Sequence, residues 1–145
     1  PRDAAAGGYY GQLDLSVIDE NGEEIEKQSI DLEILIGEGW EQKVEVKEFV
    51  FEEIEEVQTF TLDFKNESPV HLIPEASIRL IDAENVTVET IDLKMPEAKL
   101  KVLPDEEVIM TARTAEIEAG TYTAEIIISS QNQEIETISQ SVIIE

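Results

Sequence analysis

The chain contains no cysteine, so disulfides, thiolate metal centres and a cysteine nucleophile are all excluded. Bacterial and archaeal surface proteins often dispense with disulfides, whereas a eukaryotic secreted module would usually carry one. Basic residues are scarce: ten Lys and Arg stand against 34 Asp and Glu, a formal net charge of −24. A surface of that sign repels phosphate backbones and anionic headgroups, so neither nucleic acid nor a membrane surface is an expected partner. There is one histidine, His71, and no motif announces a serine that would make a catalytic triad with it. It is expected in a loop or at a strand edge, near Pro69 and Pro74. No apolar run reaches about 18 residues, so the segment is not expected to insert directly into a membrane. The chain opens at Pro1 without an initiator methionine. The expectation is a processed chain or a fragment, anchored through a segment not present in it.

What is present suffices for a core. A chain of 145 residues fits one domain, or one domain with an appended piece, and buries roughly 68–70% of its unfolded surface. Its apolar residues, 41% of the total, fall in short strand-like runs, so disorder is not the default. The acids alternate with them, as on the outer faces of strands. Solubility therefore explains the charge more simply than multivalent cation binding or a basic partner does.

Residues 1–8 are small and polar and read as a flexible leader or linker. Residues 9–41 read as an N-terminal β-hairpin. Leu13, Leu15 and Val17 alternate with polar residues, Asn21-Gly22 suits a tight turn, and Ile30, Leu32, Ile34 and Ile36 share one face of a return strand over 28–36. Such a hairpin is marginal alone and is expected to dock on the rest of the chain. From Lys43 the alternation Val44, Val46 slips by one residue to Phe49 and Phe51, as at a β-bulge or where a strand changes sheets. Glu52-Glu53-Ile54-Glu55-Glu56 reads as an acidic loop. Further strands are expected over 60–64, 76–81, 86–93, 108–112 and 135–144, with a short edge strand over 100–103 and a turn at Gln131-Asn132-Gln133. Strand-like pieces every ~8–12 residues, with turn signals between them, predict an all-β fold.

Three stretches in residues 42–145 carry a resemblance: 60–66 as an early core strand, 103–108 before a late one, and Glu118-Ala119-Gly120-Thr121-Tyr122-Thr123-Ala124. Together they resemble prokaryotic immunoglobulin-like surface modules. The resemblance implies an antiparallel immunoglobulin-like β-sandwich with the hairpin appended. It casts Tyr122 as a tyrosine corner, buried, with its hydroxyl bonded to nearby backbone. Ala124 stands where such folds place a disulfide cysteine, and the tryptophan of the third core strand is missing, since Trp40 lies before the domain.

No constellation marks catalysis. Paired carboxylates are too abundant to single out a hydrolase pair, which remains a remote alternative. No cofactor is implied and no metal ligand set is assigned. Calcium is the alternative partner at Asp19, Asn21 and Glu23, or at Glu52, Glu53, Glu55 and Glu56; an ordinary hairpin turn and a solvated loop are the simpler readings. Asn85-Val86-Thr87 marks Asn85 as a possible glycan acceptor, and Asn66-Glu67-Ser68 also matches but precedes Pro69. Trp40, Tyr9 and Tyr10 suggest either packing of the hairpin against the sandwich or an exposed aromatic patch. The expected role is a non-catalytic extracellular or cell-surface module with structural, adhesive or docking duties toward other envelope proteins. The alternative is a module that binds carbohydrate or calcium. No binding residue is assigned for either.

Overall fold

The computed structural model describes residues 4–54, 57–114 and 117–144, and these contain nine β-strands and no helix. The chain divides into two compact units, residues 1–40 and 41–145. The first is a two-stranded antiparallel ribbon of β1 (Gly7–Ile18) and β2 (Glu24–Ile36). The strands are longer than the alternation alone predicts, and β1 begins inside the expected leader. The turn is also longer than a two-residue hairpin. Asp19 N–H donates to Glu23 C=O at 2.9 Å, with a bulge between Val17 and Ile18. Only Gly22 takes a positive φ there, at 85°.

The second unit is an antiparallel sandwich. One sheet has the order β3 (Val44–Ile54), β4 (Val57–Asn66), β7 (Glu107–Thr114). The other has the order β6 (Thr87–Leu93), β5 (Pro74–Ile81), β8 (Gly120–Ser130), β9 (Gln133–Ile144). Alternation explains the layers, because successive side chains on a strand point to opposite faces. Phe60, Leu62 and Phe64 of β4 are fully buried, as are Ile78 and Leu80 of β5 and Ile126 and Ile128 of β8. Phe60 stacks on Phe49 at a centroid distance of 6.1 Å and packs tilted against Phe51 at 4.9 Å. Both partners reach it because β3 carries the expected bulge, with the register shifting between Val46 and Glu48.

Each lateral side of the sandwich is bridged between the sheets. At one, Lys94 and Thr111 exchange backbone hydrogen bonds of 2.8 and 2.9 Å. At the other, the Gln140 side-chain amide donates to Phe49 C=O at 3.3 Å. The registers place Val44 at one end of the sandwich, opposite Asn66, and Ile144 at the other end, opposite Gly120.

Two expectations are corrected. Residues 100–103 form no strand: Val102 makes only an isolated bridge with Leu72, and Leu100 is 81% exposed. Prolines at 96 and 104 leave too short a span for a ladder. The acidic stretch is not a loop at Glu52 and Glu53, which are β3 residues paired with Thr59 and Gln58. Glu55 and Glu56 lie outside the described residues.

Candidate functional site

The ribbon is two-sided in chemistry. Its register sets Tyr9, Gly11, Leu13, Leu15 and Val17 beside Ile34, Leu32, Ile30, Gln28 and Glu26 on one face. The opposite face carries Gln12, Asp14 and Ser16 beside Asp31, Ser29 and Lys27, and toward the open end Gly8 and Tyr10 beside Leu35 and Glu33. These polar residues are tied across the strands. Ser29 Oγ donates to Asp14 at 2.6 Å, Lys27 Nζ lies 3.6 Å from the same carboxylate, and Ser16 Oγ donates to Glu24 at 2.6 Å. On the apolar face Tyr9, Leu13, Leu15, Val17, Ile30, Leu32 and Ile34 are between 40% and 60% exposed.

The aromatic residues of this unit brace its open end. Trp40 Nε1 donates to Ile36 C=O at 3.2 Å, and Tyr9 O–H donates to Ala5 C=O at 3.0 Å. Gly37, with φ 95°, lets the chain fold back there, and a side chain on it would press on Ala6 at 3.0 Å. Tyr10 lies over Gly8, where a Cβ would come within 2.3 Å of its hydroxyl. Trp40 and Tyr9 thus have partners within their own unit.

The acidic turn at Asp19 is used by the backbone. Asp19 Oδ1 accepts from the N–H of Asn21 at 2.8 Å and of Glu23 at 2.9 Å, while Gly22 N–H donates to Asp19 C=O at 3.1 Å. These bonds hold the Asp19 carboxyl below its ordinary pKa, the Glu23 and Asn21 N–H groups being the main causes. The turn between β5 and β6 repeats the pattern. Asp82 Oδ1 accepts from Glu84 N–H at 2.9 Å and Val86 N–H at 2.8 Å, and Asn85 N–H donates to Asp82 C=O at 3.1 Å. Asn85 occupies the position of Gly22, with φ 64°. An asparagine tolerates that conformation. Its side chain is exposed at the tip. No group of three or more His, Cys, Asp or Glu among the described residues is arranged to hold a metal ion.

Asn66, the other sequon asparagine, is instead a structural hub. It is fully buried, its Nδ2 donates to Val70 C=O and Val102 C=O at 2.9 Å each, and its Oδ1 accepts from Ser68 N–H at 2.8 Å. A glycan has no access to it. Ser68 continues the network by accepting from Lys43 N–H at 2.8 Å and donating to Lys43 C=O at 3.1 Å. Gln58, also buried, pins residue 117 by accepting from Ile117 N–H at 2.7 Å and donating to Ile117 C=O at 3.2 Å. His71 is half-buried between buried Val70 and Leu72.

Tyr122 O–H donates to Glu118 C=O at 2.9 Å, the bond expected of a corner tyrosine, but the residue is half-buried rather than buried. It lies at an end of β8, where the ring covers Gly120: a Cβ there would meet ring atoms at 3.2 Å. A groove of about 450 Å³ opens on the four-stranded sheet beside β7, with Glu75, Asp92, Lys94 and Ser129 at its walls and Met95 and Met110 among its apolar lining. Nothing in the sequence pattern announces this groove, because its residues come from four separate strands and a connection. The sequence matches no protein-family model and no curated protein.

Proposed function

We propose that this chain is a non-catalytic module of a cell surface or envelope, with the hairpin as its protein-docking element. The observation that carries this is the one-sided ribbon. Seven apolar side chains stand half-exposed on one face, while from Gln12 to Ser16 the other face is polar and cross-linked by hydrogen bonds, with Tyr10 and Leu35 only toward its open end. A two-stranded ribbon is marginal without a covering layer, so a partner surface satisfies the hairpin and makes docking its role. The three-plus-four strand order and the Tyr122–Glu118 bond support the immunoglobulin-like reading of the sandwich, a fold that hosts many adhesive and spacer roles. The absence of cysteine and the charge of −24 fit display outside the cytoplasm, among other envelope proteins.

The test uses cells producing the whole gene product. Lys27 and Lys43 expose more than half of their side chains, so a membrane-impermeant amine reagent should label the protein on intact cells. Labelling only after lysis would overturn the location. A Leu13→Asp/Leu32→Asp variant should lose recovery with the envelope fraction; unchanged recovery would overturn the docking role.

A second reading, binding of carbohydrate or calcium, has the groove at Glu75, Asp92 and Lys94 in its favour, since about 450 Å³ is a ligand-sized volume. Among the described residues, the groove lining includes no aromatic side chain on which a sugar ring would stack. A rise in melting temperature with millimolar calcium or with a member of a glycan panel would establish this reading, because a ligand selective for the native state stabilises it. No shift is the outcome expected of a docking module.

A further inference from the structure

We propose that the surface covering the ribbon's apolar face is the same face of a second copy, two hairpins packing face to face about a two-fold axis. The proposal rests on the docking role and names its occupant.

Area, charge placement and symmetry support it. Tyr9, Leu13, Leu15, Val17, Ile30, Leu32 and Ile34 are each 40–60% exposed. That amounts to roughly 600 Å² of coverable surface per copy and about 1,200 Å² for a pair, the lower end of interfaces that hold. Charge is placed to permit the pairing. Asp14, Lys27, Asp31 and Glu33 lie on the other face, and the apolar face carries only Glu26, at the turn end beside Val17. A two-fold pair in which the ribbons run in opposite directions puts the two Glu26 carboxylates at opposite ends of the interface. The centre of the patch is the Leu13–Ile30 pair, and a residue near a two-fold axis meets its own counterpart. Edge-to-edge pairing of the strands would lengthen the sheet but leave the apolar side chains in water.

Charge also separates this occupant from a basic partner. Each copy carries −24, so self-pairing strengthens as salt screens the repulsion, whereas attraction to a basic protein weakens.

Sedimentation of the full chain between about 1 and 100 µM should show monomer converting to dimer. The midpoint should fall several-fold between about 0.05 and 0.5 M NaCl. A Leu32→Thr/Ile30→Thr variant, which keeps β-branched residues in the strand, should move the midpoint up at least about tenfold. Because the chain has no cysteine, single cysteines report the face directly. Packed sheets lie about 10 Å apart, so a short bismaleimide should join two Leu13→Cys chains but not two Ser16→Cys chains, whose residue lies on the polar face. A chain that stays monomeric throughout, or that cross-links equally from Ser16→Cys, overturns the proposal. If the parent is monomeric yet its recovery with the envelope fraction still depends on Leu13 and Leu32, docking stands and self-pairing falls.

Discussion

Asn66 shows how much one buried polar side chain can organise. Its three hydrogen bonds join the end of β4 to residues 68, 70 and 102, so no group of its amide is left without a partner of its kind. Replacing it by alanine would strand the Val70 carbonyl and the Ser68 N–H, while the Val102 carbonyl keeps the Leu72 N–H at 2.9 Å. Each buried unsatisfied group costs about 1–3 kcal/mol, and Asn66→Ala should lose about 2 kcal/mol or more in urea unfolding. A loss below about 1 kcal/mol would mean that water replaces the amide. Tyr122 is the gentler case. Its hydroxyl bond to Glu118 is exposed to solvent, so Tyr122→Phe should cost about 0.5 kcal/mol, the low end for one hydrogen bond. Gly120→Ala pushes on the same ring. If the ring moves, the hydroxyl bond goes with it, and the double variant should be less destabilised than the sum of the two singles. Additivity would separate the ring contact from the bond.

At the scale of elements, the two Asp turns are the same device built from different residues. Asp19 and Asp82 each receive two backbone N–H groups, and Gly22 and Asn85 each supply the positive φ. Asp82→Ala should cost about 1 kcal/mol, the net worth of a typical hydrogen bond, and Asn85→Gly should be close to neutral because glycine takes that φ freely. Thermal melts of both variants decide this. Among the described residues three carboxyls sit below their ordinary values: Asp19 through backbone N–H groups, Glu67 through Lys43, and Glu106 through Lys99 and then the Leu103 N–H. A carboxyl depressed in the fold contributes stability above its unfolded value and loses it as pH falls through the folded one. The acid limb of a stability–pH curve should therefore open as pH falls to the ordinary values, 4.5 for the two glutamates and 3.8 for Asp19, and deepen below them. Lys43 and Lys65 are raised by Glu67 and Asp105; their contribution is complete below 10.5 and fades only above it.

Much of this was legible in the chain. The one-residue slip from Val46 to Phe49 announced the β3 bulge, and the alternation of Phe60, Leu62 and Phe64 announced a buried face. Periodicity reports which face of a strand is apolar. It cannot report that Asn66 is buried, because an Asn-Glu-Ser-Pro run is also what an exposed turn looks like. Nor can it gather Glu75, Asp92 and Lys94 into one groove, since that depends on how β5, β6 and their neighbours align. The short strand expected near Leu100 failed because a local apolar run reports nothing about a partner.

For the whole molecule, charge is the dominant variable. With 34 acids and ten bases, repulsion opposes the compact state, while exposed ion pairs such as Lys27–Asp14 offset little of it. Melting temperature should rise as salt goes from about 10 mM to about 200 mM, where the screening length drops below about 10 Å. A flat response would show that the carboxylates are already neutralised by bound cations.

Val44 and Ile144 stand at opposite ends of the sandwich. Tension applied through the ends of residues 41–145 therefore runs along the strands. It shears β3 against β4 and β9 against β8, loading the rungs of each ladder together instead of peeling them one by one. A module strung between a surface and whatever it holds would give way late and all at once.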